Sequence, residues 1–238
     1  MNNSGESTIE VDAILFDMDR TLIDSSSACA RIWSCRARHY GLEPQSVIDQ
    51  SHGRRPEDTA RSILGDDADI KAAVDLFTAQ EATESHVTTI PGAKELILTI
   101  PEDRWAIVTS STMNIATTRL AYCGLPEPRV LITAEKVRTG KPDPEGYLQA
   151  AAKLGVDIRR CLVIEDAPGG IEAGHRAGAL VVAVATTYKP SVFPSEIVVP
   201  DLRSIKITGV RNDGEMQLTV TPVTYTLNAG FVGQPAVT

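Results

Sequence analysis

The chain has 238 residues, enough for one well-formed core with a smaller attached domain. Its 31 acidic and 23 basic residues give a formal net charge of -8. That charge disfavours a nucleic-acid or anionic-membrane binder but leaves room for a local basic pocket, and no stretch approaches the ~20 apolar residues of a membrane span.

The first ten residues, MNNSGESTIE, lack the basic and apolar pattern of a signal peptide and read as a short disordered lead-in. The next segment, AILFDMDRTLID (13–24), opens with an apolar run, Ala13–Phe16, that reads as a buried strand. It ends in Asp17 and Asp19, two like charges whose burial requires a cation or strong hydrogen bonds. In SACARIWSCRARHYG the positions Ala28, Ile32 and Cys35 recur at helical spacing, with Asp24 or Ser25 as cap and Gly41 as terminator. PEDTARSILG and ADIKAAVDLFTAQEATES continue the helical period, so residues 25–86 read as an inserted all-helical module.

From Pro91 the pattern alternates. PGAKELILTI begins a helix, RWAIVTSS is a strand ending in hydroxyls, and TMNIATTRLAYCG is a helix closed by glycine. RVLITAE suggests a further strand, and the helix in KPDPEGYLQAAAKLG has Asp143 to cap it, Pro144 in its first turn and Gly155 to end it. RCLVIED is a strand ending in Glu165 and Asp166, APGGIEAGHRAGA is a glycine-rich helix and LVVAVAT another strand. This order predicts an α/β fold, a parallel sheet covered by helices with ligands beyond the carboxyl ends of its strands. The tail SIKITGVRNDGEMQLTVTPVTYTL is β-rich around the turn Asn212-Asp213-Gly214 and reads as an edge decoration or an arm packed on the core. Cys29, Cys35, Cys123 and Cys161 are scattered without metal-ligand spacing. Such thiols suit a reducing compartment, and with no signal pattern they favour the cytoplasm.

Four strand-end or loop features can meet above such a sheet: Asp17 with Asp19, Ser110 with Ser111, Lys141, and Glu165 with Asp166. Each alone is as readily a helix cap or surface group. Together they bring carboxylates and a cation to one crevice, a donor set that suits a hard divalent ion, Mg²⁺ by default. The four histidines and four cysteines show no zinc spacing.

These residues carry a resemblance. DMDRT resembles the first motif of the haloacid-dehalogenase-like hydrolase superfamily, Ser110 in AIVTSS the second, Lys141 in GKPDPEGY the third and VIEDAPGGIEAG the fourth. The resemblance implies a three-layer Rossmann-like core from residues 10–24 and 87–238, with a β-rich extension near 204–228 and a helical cap over 25–86. It implies that Asp17 is a nucleophile forming an aspartyl-phosphate and that Asp19 is the general acid and then the base. Mg²⁺ would be held by Asp17, the backbone carbonyl of Asp19 and Asp166, with Glu165 orienting metal-bound water. Ser110 would bind a phosphoryl oxygen, with Ser111 beside it as a further substrate contact, and Lys141 would neutralise phosphate and nucleophile. One position departs from the pattern: the usual glycine after the second aspartate is Arg20. That position lies in a tight turn, and an outward-pointing or cap-contacting side chain is expected.

The cap must distinguish one ester from another. QSHGRRPEDTAR joins two expected cap helices and places His52, Arg54 and Arg55 around Gly53. An arginine there can grip a phosphate or hydroxyls, or remain solvated beside Glu57 and Asp58. SHGRR, LITAEKVRTGKPDPEGYL and IEDAPGGIEAG are similar to the branch containing glycerol-3-phosphatases and 2-deoxyglucose-6-phosphatases. That similarity implies a small sugar or polyol phosphate monoester under a mobile cap, with His52, Gly53, Arg54 and Arg55 as substrate contacts. The expected partner is a small-molecule phosphate ester, without nucleic acid or membrane, and the chain is expected to be a monomer, with a dimer as the alternative. Competing readings are a β-phosphoglucomutase-like phosphoryl transferase, a phosphoglycolate phosphatase and a catalytically impaired binding protein on the same fold.

Overall fold

The computed structural model describes residues 6–66, 68–81 and 87–223. In chain order the elements are β1 (Ser7–Val11), β2 (Ala13–Phe16), β3 (Ile23–Asp24), α1 (Ser26–His39), α2 (Pro44–Ser51), α3 (Pro56–Leu64), α4 (Ile70–Glu81) and β4 (Thr88–Thr89). Next come α5 (Ala93–Ile97), β5 (Trp105–Val108), α6 (Met113–Tyr122), β6 (Leu131–Ile132), α7 (Glu145–Leu154), β7 (Cys161–Glu165) and α8 (Pro168–Ala177). The chain then forms β8 (Leu180–Val184), β9 (Ile197–Val199), β10 (Ile205–Val210) and β11 (Met216–Val220).

Six strands form a parallel sheet in the order β6-β5-β2-β7-β8-β9. Every residue of β2, β5 and β7 is buried, the pattern of strands covered on both faces. Alternation then divides the core in two. Ile14, Phe16, Ile107, Leu162 and Ile164 face Leu96, Ile97, Ala116 and Leu120 of α5 and α6. Ala13, Leu15, Ala106, Val108 and Val163 face Tyr147, Ala150, Ile171 and Ala177 of α7 and α8. Each fully buried Leu, Ile or Phe contributes ~1.5–3 kcal/mol. The result is a three-layer Rossmann-like α/β core. Phe16 lies level with Ile107 on one side and Ile164 on the other. The strands therefore end in step, with Asp17, Thr109 and Glu165 near one edge.

The chain leaves the core at Asp24 and returns at Thr88 through the antiparallel pair β3–β4. Between them α1–α4 pack around Ile32, Trp33, Ala37, Val47 and Phe77, with Ala60, Ile70 and Ala73 as a second cluster. The rings of Trp33 and Phe77 lie 4.4 Å apart.

Two features differ from the sequence expectation. Residues 7–10, read as part of a disordered lead-in, belong with Val11 to β1, which pairs with β11 beside β10 in a three-stranded antiparallel sheet. Only Ile9 and Val11 are apolar in that strand, so its inward face is hidden in the sequence until its distant partner is known. Strand β9 is only three residues long, too short for a periodic signal, and Val223 donates from its backbone to Val198 beside it. The β10–β11 hairpin turns at Gly214 with φ +89° and places Ile205, Met216, Leu218 and Val220 in the same core as β2. Residues 224–228 of the expected extension lie outside the described residues. None of the four cysteines is in a disulfide, and no described helix is long and apolar enough to cross a membrane.

Candidate active site

Asp17 follows β2 directly and is 5% exposed. Lys141, in the loop before α7, donates to Asp17 Oδ1 at 2.6 Å, Glu165 Oε1 at 2.7 Å and the Val108 carbonyl at 3.1 Å. An ammonium has three protons, and these three acceptors use them. Burial opposes the charge on Lys141, but the Asp17 and Glu165 carboxylates outweigh it and raise its pKa well above the usual lysine range.

Glu165 is the anchor of this arrangement. Its Oε1 also accepts from the Tyr147 hydroxyl at 3.2 Å, and its Oε2 from the backbone N–H groups of Asp166 and Ala167 at 2.9 and 3.0 Å. The space for it comes from Gly170, in the first turns of α8. A Cβ there would fall on the Glu165 carboxylate.

Asp17, Glu165 and Asp166 bring carboxylate oxygens within 4.8 Å of one another. Burial raises the Asp17 pKa well above the usual carboxylate range; Glu165 and Asp166 add to this and Lys141 opposes it. Burial and then Glu165 push Asp166 up to about 7. Three carboxylates around one ammonium leave negative charge that a further cation would relieve. Glu165 has both oxygens occupied, whereas no described hydrogen bond engages Asp17 Oδ2 or Asp166 Oδ1. The donor set therefore fits a hard divalent cation between Asp17 and Asp166.

Asp19 lines the same cleft as Asp17 and Asp166 but is not part of this trio. Its Oδ2 accepts from Ser111 Oγ at 2.8 Å and its Oδ1 from the guanidinium of Arg119, which is 4% exposed. Ser111, expected at the substrate, lines the same cleft as Asp19 and is its hydrogen-bond partner. Ser110 Oγ donates to the Gly53 carbonyl at 2.9 Å, joining the end of β5 to the loop between α2 and α3.

That loop divides the expected substrate residues. Gly53 and Arg54 line an open cleft together with Asp17, Asp19, Ser110, Asp166, Trp33 and Phe77. Arg55 turns away, contrary to expectation. It grips Asp58 with Nε at 2.7 Å and Nη2 at 2.8 Å, and Nη1 donates to the carbonyls of Val137 and Arg138 at 3.3 Å. Having a carboxylate three residues on, at helical spacing, favours this pairing. His52 is also outside the cleft lining: its Nδ1 lies 3.3 Å from the Tyr188 hydroxyl. Burial and then the neighbouring charge of Arg20 lower the His52 pKa to about 4.

Arg20 does not point outward. It is 8% exposed and lines the cleft, with Nη1 3.5 Å from Thr187 Oγ1, and Thr187 in turn donates to Asp166. Its backbone has φ +65°, the left-handed conformation that favours glycine. Arg119, Thr187 and Tyr147 escaped the sequence reading. Thr187, just beyond β8, carried the strand-end signal that pointed to Ser110; Arg119 and Tyr147 lie inside helices and carried none.

A model of the haloacid dehalogenase-like hydrolase family matches residues 14–184. Hexitol phosphatase A of Escherichia coli (strain K12) is 40% identical over 82% of this chain and 93% of its own length. 2-Deoxyglucose-6-phosphate phosphatase 1 of Saccharomyces cerevisiae is 33% identical over 85% and 93%. A hydrolase from Pseudomonas syringae superposes with a TM-score of 0.71 at 26% identity, covering 80% of this chain and 94% of that one. The chain belongs to the haloacid dehalogenase-like hydrolase family.

Proposed function

We propose that this protein is a Mg²⁺-dependent phosphatase that hydrolyses a small sugar or polyol phosphate monoester through an aspartyl-phosphate on Asp17. The observation that carries this reading is Asp17 at the end of the central strand, held by Lys141 beside Asp166 at the floor of a cleft roofed by helices. The phosphatase relatives named above support the monoester class and the sugar or polyol substrate.

A carboxylate and a phosphate are both anions, so attack requires neutralising charge. Lys141 supplies one positive charge at Asp17 Oδ1. Asp17 and Asp166 would hold Mg²⁺, with the backbone carbonyl of Asp19. When bound, the ion lowers repulsion between nucleophile and phosphate and stabilises charge on the transferring oxygens. Asp17 then bonds to phosphorus as the ester P–O bond breaks, and Asp19 gives a proton to the departing oxygen. In the second half Asp19 takes a proton from water as that water attacks phosphorus and Asp17 is released. Splitting one displacement into two easier ones is the advantage of the covalent route. Glu165 keeps Lys141 in place, and Ser110 exchanges its bond to Gly53 for a phosphoryl oxygen as substrate enters. Arg54 faces the sugar or polyol.

The test is a phosphate screen across hexitol phosphates, sugar 6-phosphates, glycerol phosphates and phosphoglycolate, with and without chelator. A hexitol or sugar phosphate is expected to lead, with activity abolished by chelation and restored by Mg²⁺. Full turnover in metal-free buffer, or an undiminished Asp17→Asn variant, overturns the mechanism.

A further inference from the structure

We propose that Arg119 is a positioning residue for proton transfer by Asp19; this deepens the reading of Asp19 as acid and base and rests on it. Arg119 belongs to α6, a helix of the core, and its guanidinium is buried. Its Nη1 meets Asp19 Oδ1, and its Nη2 lies 3.8 Å from Cys29 Sγ in the first turn of α1. Cys29 Sγ is in turn 3.7 Å from Ser25 Oγ, where the chain enters the cap helices. One planar cation thus touches the loop after β2 and the root of the cap.

The two oxygens of Asp19 have partners of different kinds. A guanidinium only donates, so Oδ1 is held as an acceptor. Oδ2 faces the Ser111 hydroxyl at 2.8 Å, and a hydroxyl can donate or accept. The geometry therefore assigns the transferable proton to Oδ2. In the first displacement that proton moves to the ester oxygen as its bond to phosphorus breaks. In the second, a proton of the attacking water moves to Oδ2 as the water oxygen bonds to phosphorus and the Asp17–phosphorus bond breaks. Arg119 fixes the plane of the carboxyl so that Oδ2 presents to the cleft. Its rigid fork does this better than a flexible ammonium can.

A buried guanidinium beside a carboxylate also has a purely structural explanation, since a charge out of water needs a partner. Leaving-group dependence separates the two. An alkyl phosphate needs a proton on its departing oxygen, whereas p-nitrophenyl phosphate departs as a stable anion. The experiment measures kcat/KM for 2-deoxyglucose 6-phosphate and p-nitrophenyl phosphate with Mg²⁺, in the parent, Arg119→Met, Arg119→Lys and Asp19→Asn. General acid catalysis contributes ~10²–10⁴-fold, so Arg119→Met is expected to lose about 100-fold on the alkyl ester and less than about fivefold on the aryl ester. Arg119→Lys, which keeps the charge without the fork, falls between. Melting curves report folding, and if Arg119→Met does not fold, Arg119→Lys decides by the same ratio. Equal losses on the two esters, or no loss, overturn the positioning role. If Asp19→Asn itself shows no difference between the esters, the acid role of Asp19 fails, and the proposal for Arg119 fails with it. A selective loss in Asp19→Asn with none in the Arg119 variants sinks the present inference alone.

Discussion

Gly170 is the residue that lets the charge cluster exist, because any side chain there would occupy the place of the Glu165 carboxylate. Gly170→Ala should displace Glu165, release Lys141 from one of its three acceptors and leave buried polar groups unpaired. The expected result is loss of most activity with about 1–3 kcal/mol of stability, read from kcat and a denaturant melt. Parental kcat and stability would show that the loop adapts without cost. Arg20 makes the opposite case, a bulky side chain where glycine would be relaxed. Its left-handed backbone costs ~1–2 kcal/mol, and its guanidinium lies against Thr187, which donates to Asp166. Arg20→Gly removes both the strain and a competing positive charge. Mg²⁺ should bind the variant roughly three- to tenfold more tightly by calorimetry. Unchanged Mg²⁺ affinity would show that Arg20 does not act on the acidic site.

At the level of elements, the loop between α2 and α3 is where the cap meets the core. Gly53 adopts φ +71° with its would-be Cβ 2.8 Å from Ala167 Cβ, and Gly140 leaves room for the Arg55–Asp58 pair. Arg55 therefore acts as a latch and Arg54 as a candidate reader of substrate. Arg55→Ala should lower kcat/KM for all phosphate esters alike, by about tenfold or less, the scale of one net hydrogen bond. Arg54→Ala should weaken a sugar phosphate more than p-nitrophenyl phosphate. The reverse pattern would exchange the two roles. His52 gives this contact a pH dependence. With its pKa lowered to about 4 from the usual 6.5, it stays neutral in the fold while the unfolded chain takes up a proton below 6.5. Its contribution is therefore intact above pH 6.5 and falls as the pH drops toward 4. Stability of the parent and His52→Gln, measured between pH 7 and 4, should converge at acid pH, and parallel curves would exclude His52 as the cause. The sequence made the loop legible as a cap contact because glycine and arginines stood between two helical patterns. It could not tell Arg54 from Arg55, since adjacent residues in a loop carry no periodicity to orient them.

At the scale of the molecule, the alternating pattern after Pro91 was enough to read the parallel sheet and the residues at its strand ends. Asp17, Lys141, Glu165 and Asp166 stood out because polar groups interrupt apolar strands or precede a capped helix. The tail hairpin was legible from Asn212-Asp213-Gly214, but its energetic weight was not, because Met216, Leu218 and Val220 join a core cluster built mostly from elements far away in sequence. Leu218, fully buried, tests that weight. Leu218→Ala should cost ~2–5 kcal/mol with activity retained in the folded fraction. A loss below about 0.5 kcal/mol would make the hairpin a mere decoration.

The pairing of β1 with β11 has a consequence for biosynthesis. The strand that runs into β2 emerges from the ribosome about 200 residues before its partner in the small sheet, Met216–Val220. At ~5–20 residues per second, it waits roughly 10–40 s for that partner. During that interval Ile9 and Val11 have no sheet to join, and a chain stalled before residue 216 lacks one wall of the core around β2. Arrested nascent chains ending before and after this strand, brought out of the exit tunnel by a common linker, should differ sharply in protease resistance.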